Sequence, residues 1–217
     1  MEKPRVRLRR SLARMQTIDS LTLDVAEPVG SEAFYERAFG LGRHVGARAA
    51  QTPSTGFRGF SISLIVGQPS SVDSLYETAI AAGATSVKSA TKGMWGYGAV
   101  VQDPDGVVWK LATSSKKEKG LPARQIDDVV LLLGTSDLGA SKKFYVDRGL
   151  EVKRSFPGRY AEFNSGAIKL ALYPGRAGVA KEAGVSPDGD GPHGITVHSD
   201  AGPFNDPDEF VWAPANS

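Results

Sequence analysis

Cysteine is absent from the chain. That removes disulfides, thiolate zinc sites, iron–sulfur ligation and thiol catalysis together, and a cytoplasmic location is expected. Long apolar runs are missing as well. The longest aliphatic stretch, Val129-Val130-Leu131-Leu132-Leu133, is far short of the roughly 20 residues that span a bilayer, so no membrane partner is expected. Nor is there a basic surface. Lys3, Arg5, Arg7, Arg9, Arg10 and Arg14 against Glu2 give the first fifteen residues a balance of +5, and with +2 for the whole chain the remainder carries −3. Residues 1–15 lack the apolar segment of a secretory signal and the aromatics on which bases stack. They are expected to form a disordered basic tail, with Met15 as an alternative start, and no nucleic-acid partner is expected.

What is present is an ordinary globular composition, 41% apolar and 23% charged over 217 residues, enough for one large domain or two small ones. An internal repeat decides between them. Ile18-Asp19-Ser20-Leu21-Thr22-Leu23 recurs as Ile126-Asp127-Asp128-Val129-Val130-Leu131, and Phe34-Tyr35 as Phe144-Tyr145. Gly40-Leu41 recurs as Gly149-Leu150, and Asp103-Pro104-Asp105 with Trp109 as Asp206-Pro207-Asp208 with Trp212. Between the copies, residues 114–124 are polar and turn-rich and read as a linker. The expected units are therefore 16–113 and 125–214.

Each unit opens with a strand and a helix. Residues 18–25 alternate, with Leu21, Leu23 and Val25 on one face and Ser20, Thr22 and Asp24 on the other. Ser31 is placed to cap a helix that Gly40 ends. Ser70 and Asp73 resemble a capping box for a second helix over 70–83, and Asp103-Pro104-Asp105-Gly106 suits a type I turn. The first unit reads β-α-β…β-α-β-β-β. The second has no counterpart of the 70–83 helix, so one sheet face there must be covered by segment 175–192, by the other unit or by another subunit.

These landmarks, in this order and twice over, resemble the vicinal oxygen chelate superfamily of glyoxalase I, extradiol dioxygenases and bleomycin- and fosfomycin-resistance proteins. More narrowly, the chain looks like actinobacterial glyoxalase-like proteins. The resemblance implies an α+β fold of tandem βαβββ modules in two cupped-sheet units, the second abridged. It implies a site on the concave sheet face, where a divalent metal held by strand residues chelates two substrate oxygens.

The ligand positions implied by that resemblance are poorly filled. In the first unit they hold Ser20, Ser61 and Lys110, two hydroxyls and an ammonium without a lone pair. Lys110 either is a solvated polar residue or holds a substrate carboxylate or phosphate. In the second unit they hold Asp128 and Ala213. Strand parity sets His198 where it can share the cup with Asp128, and His193 lies at the strand mouth. Glu209 replaces the turn glycine. Trp109 and Trp212 read as core, whereas Trp95 and Tyr97 sit at the cup rim, where aromatics can stack on a ligand. No phosphate-binding loop or nucleophile elbow occurs.

The leading expectation is a binder of a small organic molecule, without cofactor, using Ser20, Thr22, Ser61, Trp95, Tyr97, Lys110, Asp128, Tyr160 and His198. The competing reading is a metal-dependent lyase, isomerase or dioxygenase, its divalent ion held by Asp128, His193 and His198. A third is a structural or partner-binding module, and a homodimer is compatible with each.

Overall fold

The computed structural model describes residues 16–94 and 96–215. The tail 1–15 and Trp95 lie outside the described residues. The first half of the chain runs β1 (Ile18–Val25), α1 (Pro28–Phe39), β2 (Val45–Ala49), β3 (Thr55–Gly56), β4 (Phe60–Ile65), α2 (Pro69–Ala81), β5 (Thr85–Gly93), β6 (Gly96–Gln102) and β7 (Val108–Thr113). The second runs β8 (Asp128–Thr135), α3 (Leu138–Asp147), β9 (Glu151–Phe156), β10 (Tyr160–Asn164), β11 (Ile168–Pro174), α4 (Arg176–Ala183), β12 (Gly189–Asp190), β13 (Ile195–Ser199), β14 (Phe204–Asn205) and β15 (Val211–Pro214).

The α+β expectation holds, and the strand order adds what the repeat alone did not say. An eight-stranded sheet has the order β5-β6-β7-β4-β8-β11-β10-β9, and a five-stranded one β14-β15-β13-β1-β2. Segments β4-α2-β5-β6-β7 and β8-α3-β9-β10-β11 each form a βαβββ module whose first and last strands are parallel neighbours. They meet through the antiparallel β4–β8 pair. The outer segments are fragments of the same motif: β1 lies parallel to β2, and β13 parallel to β15. These fragments join across the antiparallel β1–β13 pair. Both sheets therefore take strands from both halves of the chain.

Alternation explains the layering. Ile62, Leu64, Trp109, Leu111, Leu131, Leu133, Leu170 and Leu172 point to one side of the large sheet, Leu21, Leu23, Val25, Ile195 and Val197 to one side of the small sheet, and all belong to one buried core with Phe34, Tyr35, Phe39 and Trp212. Burying such side chains stabilises by about 25 cal/mol per Å². Helices α1 and α2 pack on each other, and α2 and α3 pack on the large sheet. The other face of each sheet is left for other work.

Two local expectations are corrected. Helix α1 starts at Pro28, not at Ser31, because proline is pre-organised for the first helical position. The Ser31 hydroxyl instead donates to the Glu27 carbonyl and to Asp105. Helix α2 starts at Pro69 without a side-chain cap. Ser70 donates to Glu118 and Asp73 accepts from Tyr97, so both supposed capping residues are engaged elsewhere. The chain passes from β13 to β14 through residues 200–203 with no helix, as expected, and of the three covers expected for the open sheet face segment 175–192 supplies one. It carries α4, which packs on β4, β8 and β11.

Candidate functional site

The outer face of the small sheet gathers side chains from remote parts of the chain. On β1, Ser20, Thr22 and Asp24 alternate with the core leucines. Cross-strand register sets Ser20 opposite His198 and Thr22 opposite Thr196. The Thr22 hydroxyl lies 2.8 Å from His198 Nε2, and His198 Nδ1 lies 3.3 Å from the Pro214 carbonyl. A carbonyl only accepts, so a neutral ring carries its proton on Nδ1 and accepts the Thr22 proton at Nε2. The pair can thus pass a proton between a hydroxyl and an imidazole on an accessible face. Beside it Arg48, on β2, donates to Asp24 at 2.5 Å and to Thr196 at 2.8 Å. Arg48 is 53% exposed and Asp24 21%, which leaves the guanidinium free to shift toward an anionic group.

Two clefts flank Asp24. One, of about 380 Å³, is bounded by Ala50, Pro53, Ser54, Arg58, Pro104 and Asp105. The other, of about 160 Å³, lies between Arg48, Gly194, Glu209 and Val211. Arg58 forms a wall of the first. It is buried, and it donates to the main-chain carbonyls of Asp24 and Asp105 at 2.9 Å each.

The outer face of the large sheet carries the other candidates but is covered. Ser61 lies opposite Leu132, and Ser63 between Lys110 and Val130. Val179, Ala180 and Ala183 of α4 pack there against Val100, Val108, Leu132 and Ala171. Glu182 of α4 forms an ion pair with Lys110. Farther along, Glu162 is buried and accepts from Lys153 at 2.8 Å, Arg154 at 2.6 Å and Tyr160 at 3.2 Å. Burial pushes the Glu162 carboxyl up, but its two cationic partners outweigh this and hold it below the ordinary range. Burial and that carboxylate together push the Tyr160 phenol up to about 12.

Of the residues singled out from sequence, Ser20, Thr22 and His198 are brought together on the small sheet. Ser61, Lys110, Asp128 and Tyr160 share the large sheet. Tyr97 donates to Asp73 of α2 at 2.7 Å, which pushes its phenol up to about 12. Trp109 and Trp212 are buried in the core. Asp128 and His198 stand on different sheets. Both nitrogens of His193 face main-chain carbonyls, Arg58 at 2.6 Å and Asp208 at 2.9 Å, while its ring stacks on Phe210. Arg48, Thr196, Glu162 and Glu182 were not singled out. Arg48 is the instructive omission: β2 is too short to show periodicity, and only its pairing with β1 brings the guanidinium to this face.

A divalent ion needs several convergent lone-pair donors. Among the described residues no three His, Asp or Glu side chains group closely enough to hold one. Lys110 is already paired, and His193 spends both nitrogens on carbonyls. The donors present do not fit a divalent metal at the family's positions.

The sequence model of the Glyoxalase/Bleomycin resistance protein/Dioxygenase superfamily matches residues 26–111. Among solved structures, a mutant glyoxalase I from Zea mays is similar over 91% of both chains, at 15% identity and a TM-score of 0.56. Glyoxalase I from Zea mays is similar over 85% of this chain and 75% of that one, at 15% identity and a TM-score of 0.54. A candidate dioxygenase from Bacillus subtilis is similar over 89% of this chain and 71% of that one, at 12% identity and a TM-score of 0.51. At such identities the likeness speaks for the fold alone. No curated protein sequence matches the chain. Residues 26–111 thus carry the sequence pattern of the glyoxalase/bleomycin resistance/dioxygenase superfamily, and the fold of the chain is similar to that of glyoxalase I.

Proposed function

We propose that the protein binds a small polar organic molecule on the outer face of the small sheet, without a catalytic metal. The observation that carries this reading is the meeting of Thr22 and His198, hydrogen-bonded across a separation of 176 residues, beside the exposed Arg48 and its partner Asp24. Such a face offers a cation, a hydroxyl, a carboxylate and an imidazole within one patch. A ligand with a carboxylate or carbonyl end is matched by Arg48 and its hydroxyl by His198. The cleft on either side of Asp24 gives room for its body.

Ligand-observed NMR of the full chain against a panel of small hydroxy acids tests the reading. Arg48→Ala and His198→Ala are expected to weaken every hit by at least tenfold. Hits that survive both substitutions would assign the site elsewhere. Elemental analysis of protein purified without a histidine tag tests the metal-free part. Stoichiometric zinc, iron, nickel or manganese, lost in Asp128→Ala or His198→Ala, would refute it.

A further inference from the structure

Helix α4 lies on the far side of the molecule, where the large sheet turns away from the shared core. Its apolar hold on that sheet is thin, although Arg176 at its start donates to the Phe57 carbonyl. Only Val179, Ala180 and Ala183 are buried, on a floor of Val100, Val108, Leu132 and Ala171. An eight-residue helix with such small anchors has little stability of its own. Two features of the contact are unexpected for a permanent cover. Ser61 is fully buried on the floor, and its hydroxyl has no hydrogen-bond partner among the described residues. An alanine there would avoid the cost of an unmatched hydroxyl. One row along the sheet, Lys110 gives its ammonium to a carboxylate that the plug itself supplies, Glu182.

We propose that α4 is a displaceable plug over a binding site for a small organic carboxylate with an apolar body. Lys110 pairs with the carboxylate, the Ser61 hydroxyl gains its missing partner, and the apolar body lies on Val100, Val108, Leu132 and Ala171. In the closed form Glu182 holds the carboxylate's place. The site is separate from the Thr22–His198 face, so it goes beyond the reading above and stands or falls without it.

Sodium benzoate is the probe, titrated calorimetrically into the full chain, with benzamide as the uncharged control and inorganic phosphate as an anion without an apolar body. Removing the internal competitor in Glu182→Gln is expected to tighten benzoate binding at least tenfold over the unaltered protein. Adding Lys110→Met to that variant is expected to abolish binding, and neither control compound is expected to bind. Gly134→Ala attacks the plug sterically, because a Cβ there would lie 2.9 Å from the Arg176 backbone; it is expected to bind benzoate as Glu182→Gln does. Hydrogen exchange at residues 176–183 is expected to accelerate when benzoate is added. The proposal is overturned if Glu182→Gln binds benzoate no tighter than the unaltered protein, or not at all. It is equally overturned if α4 stays protected while benzoate is bound, or if binding is lost in Arg48→Ala and kept in Lys110→Met.

Discussion

Asp103 lies at the tight turn before β7 and is almost fully buried, and burial pushes its carboxyl from 3.8 up to about 6. Its Oδ1 accepts from the main-chain N–H groups of Asp105 and Val107, and its Oδ2 from the Trp109 indole at 3.0 Å. A carboxyl raised in the folded state binds its proton more tightly there than in the unfolded chain. Its contribution to stability is therefore complete below 3.8 and is lost as the pH rises through 6. Between pH 7 and pH 5 the folded protein gains about 1 kcal/mol from this group, out of ~3 kcal/mol for the whole window. Asp103→Asn abolishes the titration. It also turns an amide N–H₂ toward the Trp109 N–H, a donor against a donor, at a cost of about 1–3 kcal/mol. Urea unfolding followed by tryptophan fluorescence at pH 7, 6 and 5 reads both effects. The gap between the original protein and the variant is expected to widen by about 1 kcal/mol from pH 7 to pH 5. Asp206 is also raised by burial, but it is present in both proteins and cancels. Parallel pH profiles would show that Asp103 is already ionised at pH 5 and that the reasoning is wrong.

Other consequences are as direct. Glu209 holds φ at 69° where the first copy of the turn has Gly106, so Glu209→Gly is expected to stabilise by roughly 0.5 kcal/mol once the looser unfolded chain is counted. A lower urea midpoint would contradict this. Glu162→Gln is expected to cost about 2 kcal/mol at pH 7 through two lost charged hydrogen bonds. Because the Glu162 carboxyl is held low, its contribution is present at neutral pH and lost as the pH falls through that lowered value. The deficit should therefore vanish in strong acid, and a constant deficit would oppose the assignment. Thr22→Val removes the hydroxyl on His198 and is expected to lower stability by about 1 kcal/mol and to weaken the ligands that Arg48→Ala weakens. Unchanged binding would remove Thr22 from the proposed site.

Much of the fold was legible because the sheets follow simple periodicity. Leu21, Leu23 and Val25 alternate with Ser20, Thr22 and Asp24, and the structure keeps that division. The Asp-Pro-Asp turn was legible in both copies, yet its partners were not. Asp103 takes the Trp109 indole, whereas Asp206 takes the Tyr145 hydroxyl, a choice made by packing rather than by the turn. Helix starts were misread where a proline at the first helical position outweighed a nearby serine. Helix α4 escaped because it is short and only three of its residues are buried, too few for a stripe.

Alone, the sequence determined the repeat, the strand and helix that open each unit, the core face of β1 and the Asp-Pro-Asp turns. These depend on residue chemistry and on separations of a few residues. Tertiary structure decided which strands share a sheet. That choice set Ser20, Thr22 and His198 beside Arg48 and parted them from Ser61, Lys110 and Asp128. It also laid α4 over the large sheet, because a module's first and last strands pair whether their partners lie near or far along the chain, and no local pattern records the distant edge a strand will meet.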